Sequence, residues 1–228
     1  MSVAISPDGS KVAYSVLEER KPAIYLIPIG PKGVAGVAEK LCENCGAVRD
    51  WTSDGKKLLL SGVLEDRTPA VLMDVASRKQ TELPAILGGG SRLSPDDRWV
   101  AFPTLVGPGR VQTVVGPARP AAAGSEPMPV TDGQSWDIAS GWSPNGQLLY
   151  YLSDRDGSRC LWAQRLDAIT KQPLGPPFAV YHLHNPRRAA IGSFANWFTI
   201  AVTRNQIALP LNDRTGNIWM GELEGRPQ

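Results

Sequence analysis

A short segment, in which a Ser-Pro-Asp-Gly-type turn joins two apolar strands, recurs four times along the chain. The copies read ISPDGSKVAYSV (5–16), WTSDGKKLLLSG (51–62), LSPDDRWVAFPT (93–104) and WSPNGQLLYYLS (142–153). Proline sets φ for the first corner, Ser and Asp side chains bond nearby backbone amides, and Gly tolerates positive φ. Self-similarity with turn residues at a fixed offset predicts a repeat architecture.

The turn positions Asp8, Asp54, Asp96 and Asn145 are 46, 42 and 49 residues apart. A four-stranded propeller blade takes roughly 40–45 residues, so the spacing favours a β-propeller. Apolar segments after each turn are predicted to be third strands, at 22–29, 69–76, 110–117 and 159–167. Segments 79–84 and 126–133 are predicted outer strands, where proline costs no ladder hydrogen bond.

A fifth, less regular repeat spans Trp197 to Leu223, with Thr203-Arg204-Asn205 at the position of the acidic turn. We therefore predict one all-β propeller domain over residues 1–228. Its five four-stranded blades would lie near 1–48, 49–90, 91–136, 137–190 and 191–228, the last with three strands. An incomplete last blade suggests a larger ring of six to seven blades. Unpaired strand edges in such a ring predict self-association, unless five blades close the ring alone.

The SPDG-type turns, the segment LLYYLSDRDGSRCLW and the ending GNIWMGEL resemble TolB-like, WD-type β-propeller repeats. The resemblance covers nearly the whole chain and is strongest from Trp142 to Tyr181. The repeats are most similar to those of propellers at the C-terminal end of bacterial regulatory proteins, where they follow kinase-like or winged-helix domains. The resemblance implies a propeller used for protein–protein contact.

Charge balance argues against nucleic acid as a partner of this chain, and hydropathy argues against a membrane span. The chain has 24 basic and 22 acidic residues without a long run of either sign, whereas nucleic-acid binders usually show a basic face. No apolar stretch approaches the ~20 residues of a membrane span. The N-terminal MSVAISPDG lacks the features of a signal peptide. The sequence therefore does not decide between the cytoplasm and, if an N-terminal part is missing, the periplasm.

Two motifs suggest metal or redox chemistry. Cys42 and Cys45 form a CxxC without a second ligand pair, so a turn before blade two, with or without a local disulfide, is the better interpretation. His182 and His184 form an H-x-H pair that could face one metal ion from a strand, but no third ligand is evident nearby in the sequence. A polar outer strand explains the pair better, and we predict no metal and no cofactor.

The segments that suggest catalysis or calcium binding match the corresponding motifs poorly. The repeated Asp residues occupy equivalent turns, which account for them. SDRDG at 153–157 lacks the alternating oxygen ligands of a calcium loop. Neither GGGSRLS nor IASGWS matches the G-x-S-x-G elbow of a propeller-bearing peptidase. We therefore expect no enzymatic activity.

Residues that contact a protein partner are predicted from their positions within the repeat. Trp51, Trp142, Trp162 and Trp219 occupy equivalent positions in different blades, so they are expected to pack in the core. Residues off that register are the candidates for partner contact, since aromatic and Arg side chains are enriched in binding hot spots. These candidates are Trp99, Trp136, Trp197, His182, His184, Arg187 and Arg188.

The sequence thus predicts a non-catalytic protein-interaction or sensory module, as a fragment or partner of a larger bacterial regulatory protein. One alternative is a TolB-like scaffold of the cell envelope. Another is the propeller lid of a peptidase or of a sugar-acting enzyme. The sequence does not identify the protein partner.

Overall fold

Four four-stranded antiparallel blades dominate the computed structural model, which describes residues 2–19, 21–62, 68–87, 89–120, 126–184, 188–189 and 200–213. Blade one contains β1 (Ser2–Ile5), β2 (Lys11–Glu18), β3 (Lys21–Gly30) and β5 (Glu39–Glu43), with the short β4 (Gly33–Val34) also paired to β3. Blade two contains β6 (Ala47–Trp51), β7 (Lys57–Ser61), β8 (Pro69–Asp74) and β9 (Gln80–Leu87).

Blades three and four follow the same plan. Blade three contains β10 (Arg92–Leu93), β11 (Trp99–Gly107), β12 (Arg110–Pro117) and β13 (Met128–Pro129). Blade four contains β14 (Ile138–Trp142), β15 (Leu148–Ser153), β16 (Cys160–Arg165) and β17 (Phe178–Tyr181). The predicted all-β propeller and the predicted third strands are confirmed. Within the described ranges, no helix has the length and apolarity needed to cross a membrane.

The repeated turns have one geometry in all four blades. In blade one, Ser6 Oγ donates a 2.6 Å bond to Asp8 Oδ1 and accepts the amide of Lys11 at 2.9 Å. The same serine's amide donates to the Lys11 carbonyl. Equivalent bonds join Thr52 to Asp54, Ser94 to Asp96 and Ser143 to Asn145. The turn chemistry therefore determines where the second strand of each blade begins.

One residue of each turn has the left-handed backbone conformation. This residue is Gly9 (φ 70°), Gly55 (φ 67°) and Gly146 (φ 66°) in blades one, two and four, but Asp97 (φ 56°) in blade three. Glycine adopts this conformation without strain, and Asp is among the few other residues that tolerate it. The third copy therefore keeps the turn although it reads SPDD.

The hydrophobic core consists of layers between consecutive blades rather than one central cluster. Blades one and two share a layer that includes Ile24, Trp51 and Leu58. Further layers join blade two to three and blade three to four. A fourth layer lies between blade four and Ile200, with Val202 and Ile207 packed against it. Each blade is therefore stabilised mainly by its neighbours, as in other repeat proteins.

Two of the predicted core tryptophans join adjacent blades by hydrogen bonds. Trp51 Nε1 donates to the carbonyl of Ala4 in blade one, and Trp142 Nε1 donates to the carbonyl of Arg92 in blade three, both at 3.1 Å. Both indoles are buried. Their predicted role in packing between blades is confirmed, whereas Trp219 lies outside the described residues.

The region of the predicted fifth blade is described only in part. A short hairpin pairs β19 (Ala201–Val202) with β20 (Ile207–Ala208), around the turn predicted at Thr203. A second ladder pairs β18 (Arg188–Ala189) with β21 (Asn212–Asp213). Gly141 allows the hairpin region to approach blade four, because a Cβ atom there would lie 3.0 Å from the Ile200 carbonyl oxygen.

Candidate functional site

The repeated turn carboxylates are fully engaged in their own turns. The Ser6 hydroxyl and the Ser10 amide and hydroxyl lower the pKa of Asp8 to about 2. The Thr52 hydroxyl and the Lys56 amide lower the pKa of Asp54. Burial acts against the shift at Asp96, but bonds from Ser94 and Arg98 still lower its pKa. These carboxylates stabilise turns, as predicted, and do not converge on a common site.

A different set of polar side chains converges at the end of blade four. Asp156 lies in the turn between β15 and β16, and Cys160 is the first residue of β16. His182 and His184 follow directly after β17. Since β16 pairs with both β15 and β17, the turn and the chain after β17 meet at one end of the blade. The donor atoms of the four side chains all lie within 4.8 Å of one another.

One carboxylate oxygen organises this cluster. Asp156 Oδ2 lies 2.9 Å from His182 Nδ1 and 3.0 Å from His184 Nε2, and it accepts a hydrogen bond from each imidazole. The Ser158 amide donates to the other oxygen, Oδ1. The carboxylate is therefore held by its turn through Oδ1 and directed at the imidazoles through Oδ2. Burial alone would raise the pKa of Asp156, but these bonds lower it.

Cys160 forms the buried floor of the cluster. Its thiol is inaccessible to solvent, and its Sγ accepts the Leu183 amide at 3.2 Å. Burial raises the pKa of this thiol, and the nearby Asp156 carboxylate adds to that shift. The imidazoles of His182 and His184 are 54% and 52% exposed, so the cluster opens to solvent on their side.

Aromatic and charged neighbours support the cluster. The Trp162 indole meets the His182 ring edge to face at a centroid distance of 6.2 Å. The Arg155 guanidinium lies 5.0 Å from the Trp162 ring centroid and forms an ion pair with the buried Asp137 at 3.3 Å. Trp162 is half-buried rather than fully enclosed in the core.

Sequence reasoning found two of the four clustered residues and missed Asp156 and Cys160. Both lie more than 20 residues before the histidines, and only strand pairing brings them there. A signal was available in the sequence, because the SDRDG turn leads into the predicted third strand at 159–167, and that strand would pair with the polar outer strand expected at His182 and His184. Antiparallel pairing places the start of one strand beside the end of the next.

The other predicted contact residues are dispersed. Trp99 and Trp136 are half-buried and pack against two different core layers. The Trp99 indole nitrogen is buried without a hydrogen-bond partner among the described residues, so it points inwards. Trp197 and Arg187 lie outside the described residues, and only the strand position of Arg188 is described. Their role in partner contact stays a prediction.

The CxxC motif forms a disulfide between Cys42, in β5, and Cys45, in the connection from β5 to β6. The bond encloses two residues, Glu43 and Asn44, and Asn44 adopts a positive φ of 51°. Asn is one of the residues that enter this conformation most readily. The motif therefore shapes the turn before blade two, as the sequence favours.

Blade one has an apolar face that no described blade covers. Cross-strand register places Val3, Tyr14 and Tyr25 in one row and Ile5, Val12 and Ile27 in the next. The opposite face of the same strands packs against blade two. Val3 and Ile5 are 66% and 62% exposed, and the other four side chains are only half-buried.

Comparison with known proteins shows which solved structures this propeller resembles. No protein-family model matches the chain. TolB from Acinetobacter baumannii superposes with a TM-score of 0.63 at 18% identity, over 93% of this chain and 51% of that one. A protein provisionally assigned as TolB from Agrobacterium tumefaciens gives 0.61 at 24% identity, over 78% and 63% of the two chains. The fold is TolB-like.

One relative by sequence and one further solved structure also match the chain. The uncharacterized protein Atu1656 of Agrobacterium fabrum is 30% identical over 153 residues, 65% of this chain and 49% of that protein. A chain of a nidogen/laminin complex gives a TM-score of 0.60 at 9% identity, over 91% of this chain and 70% of that one. The chain thus spans about half the length of Atu1656 and of A. baumannii TolB.

Proposed function

We propose that this chain is a non-catalytic β-propeller module that works by binding protein. The observation that carries the proposal is the uncovered apolar face of blade one. Six apolar or aromatic side chains lie there in two regular cross-strand rows, with Val3 and Ile5 mostly exposed. Contiguous exposed apolar surface is uncommon on proteins that act alone and marks sites of protein–protein contact.

The geometry favours another blade-type sheet as the occupant of this face. Every junction between described blades consists of two apolar sheet faces packed together. Blade one offers a face of the same composition, and the partner that complements it best is a twisted antiparallel sheet with an apolar side. For the isolated chain, that partner is a second copy.

The non-catalytic part of the proposal rests on the engagement of the reactive groups. Asp8, Asp54 and Asp96 bond within separate turns, and the thiol of Cys160 is buried. The imidazoles of His182 and His184 both bond the Asp156 carboxylate rather than a hydroxyl. We expect the purified chain to be inert towards generic ester, peptide and phosphate substrates, which a hydrolase panel with a Cys160→Ala control would test.

The larger context is proposed from the resemblance in the sequence. The likeness of the repeats to propellers that follow kinase-like or winged-helix domains favours a module of a larger bacterial regulatory protein. A TolB-like envelope scaffold is the second candidate, favoured by the two TolB superpositions. A neighbouring kinase-like reading frame would favour the first candidate, whereas neighbouring Tol–Pal genes would favour the second.

The binding face is tested by light scattering over a range of protein concentrations. We expect the wild-type chain to associate as concentration rises. The double variant V3K/I5K should remain monomeric, because two ammonium groups on the face oppose burial. Val37 is 91% exposed and lies between β4 and β5, outside the two rows of the face, so V37K is the matched control and should associate like the wild type. A wild-type chain that stays monomeric at all concentrations would overturn this assignment of the face.

A further inference from the structure

We propose that Asp156, Cys160, His182 and His184 form a four-ligand Zn²⁺ site at the end of blade four. Their donor atoms are one carboxylate oxygen, one sulfur and two imidazole nitrogens, all within 4.8 Å of one another. Four nitrogen, oxygen and sulfur ligands are the number and kind that tetrahedral zinc takes in proteins. The site is separate from the blade-one face and is independent of the function proposed for that face.

The two donor separations from Asp156 are close to those around a tetrahedral ion. Zinc bonds of about 2.0–2.1 Å to N and O, and about 2.3 Å to S, separate N and O ligands by about 3.3 Å and N and S ligands by about 3.5 Å. Asp156 Oδ2 is 2.9 Å from His182 Nδ1 and 3.0 Å from His184 Nε2. At these two contacts binding therefore needs movements of a few tenths of an ångström, and the other donor separations are at most 4.8 Å.

The orientation of three of the four ligands is held by atoms outside the proposed coordination sphere. The Ser158 amide bonds Asp156 Oδ1 and leaves Oδ2 for the ion. The Leu183 amide donates to Cys160 Sγ, a contact that stabilises a thiolate. Trp162 packs edge to face on His182. Such support is typical of metal sites, because it fixes the ligands before the ion arrives.

The ligand set selects the class of metal. Calcium and magnesium take oxygen ligands almost exclusively, so a sulfur and two imidazoles exclude them. Thiolate and imidazole together suit zinc, and cobalt(II) can replace zinc as a spectroscopic probe. Because all four positions are filled by protein, the site is of the closed, structural type.

The structural consequence is a link between two parts of blade four. Asp156 and Cys160 belong to the hairpin of β15 and β16, while both histidines belong to the chain that leaves β17. A bound ion would tie the end of the outer strand to that hairpin. We therefore expect zinc to raise the melting temperature of the chain, since a ligand that binds only the folded state stabilises it.

The test measures Zn²⁺ binding to the chelator-treated full chain by competition with a chromophoric chelator. The CxxC motif could bind zinc if reduced, so all proteins carry C42S/C45S. We expect one equivalent of Zn²⁺, and affinity reduced at least about 100-fold in H182A and in H184A. Both side chains are about half exposed, so these variants should fold normally, which circular dichroism with chelator checks. D8N removes a turn carboxylate elsewhere and should bind like the parent.

Cobalt(II) tests the thiolate without altering the buried cysteine. The parent protein should show a thiolate-to-cobalt charge-transfer band and the intense visible bands of a tetrahedral ion. Both should disappear in H182A/H184A. Three results would each overturn the proposal: no stoichiometric Zn²⁺ binding, binding unchanged in both single histidine variants, or a cobalt spectrum without the thiolate band. Ca²⁺ binding of comparable affinity would overturn it as well.

Discussion

The three repeated turn carboxylates and the carboxylate of Asp156 look alike in sequence and differ in their surroundings. Asp8, Asp54 and Asp96 each bond a hydroxyl two residues before and an amide two residues after, within one turn. Asp156 instead receives two imidazoles from residues 26 and 28 positions further on. The repeated carboxylates therefore serve the fold, whereas Asp156 joins parts of the chain that the repeat itself does not connect.

The comparison implies that positions shared between blades carry stability and that the cluster in blade four carries another role. Repetition is explained by the need of each blade to form the same turn and layer. A group of four donors of three chemical kinds has no such explanation. Three predictions, in order of decreasing effect, test this difference in the metal-free protein.

The largest effect is expected at a shared core position. Trp142→Ala removes a buried indole and its bond to the Arg92 carbonyl, and should lower the free energy of unfolding by about 3–5 kcal/mol. His182→Ala should change it by less than about 0.5 kcal/mol when chelator is present. Urea unfolding of both variants measures the difference. Equal losses would mean that the cluster stabilises the fold without any ion.

A smaller effect is expected at the turn that carries Asp156. Gly157 and Gly216 occupy matching turns before third strands, and this position predicts a positive φ at both. Gly157 has φ 85°, and no atom of the described residues lies within 4 Å of where its Cβ would be. Gly157→Ala should therefore cost about 1 kcal/mol through backbone strain alone. Gly157→Asn should cost less, since Asn tolerates positive φ.

Gly9→Ala is the matched control, because Gly9 has φ 70° and equally open space. A clearly larger loss at Gly157 than at Gly9 would show that the turn of blade four is coupled to more than its own backbone. The equivalent prediction for Gly216 falls outside the described residues.

The smallest effect concerns pH. Folding lowers the pKa of Asp8, Asp54 and Asp96, so the unfolded chain binds more protons in acid. The stability that these groups contribute is present above their unfolded pKa near 4 and is lost as pH falls towards 2. The triple variant D8N/D54N/D96N should lose less stability over that interval, as measured by thermal melts. An unchanged pH profile would contradict the role assigned to these carboxylates.

The sequence predicts the fold well because the turn is a local device. Ser6, Pro7, Asp8 and Gly9 determine the hairpin among themselves, so four copies at blade spacing reveal the architecture. The disulfide turn at Cys42 and the positive φ of Gly157 are predictable for the same reason.

The candidate metal site is not local, and only half of it could be predicted. The H-x-H pair is visible as a motif, but Asp156 and Cys160 become its neighbours only through the pairing of β15, β16 and β17. The apolar face of blade one cannot be predicted from the sequence for a similar reason. Residues such as Val3 and Ile5 read as ordinary strand positions until register and packing show which side is covered.

The indole bonds between blades have a further consequence for how the propeller comes apart. Trp51 joins blade two to blade one, and Trp142 joins blade four to blade three, while the equivalent position of blade three is Leu93. Leu93 has no side-chain donor, and its backbone amide instead bonds the Asp50 carboxylate. That bond joins blade three to blade two, as do the bonds from the Arg92 guanidinium to the Arg49 carbonyl and from Ser53 to the Asp97 carboxylate. Hydrogen bonds therefore close all three seams between the described blades. Under mild denaturant, these four blades should unfold as one cooperative unit rather than separate into pairs.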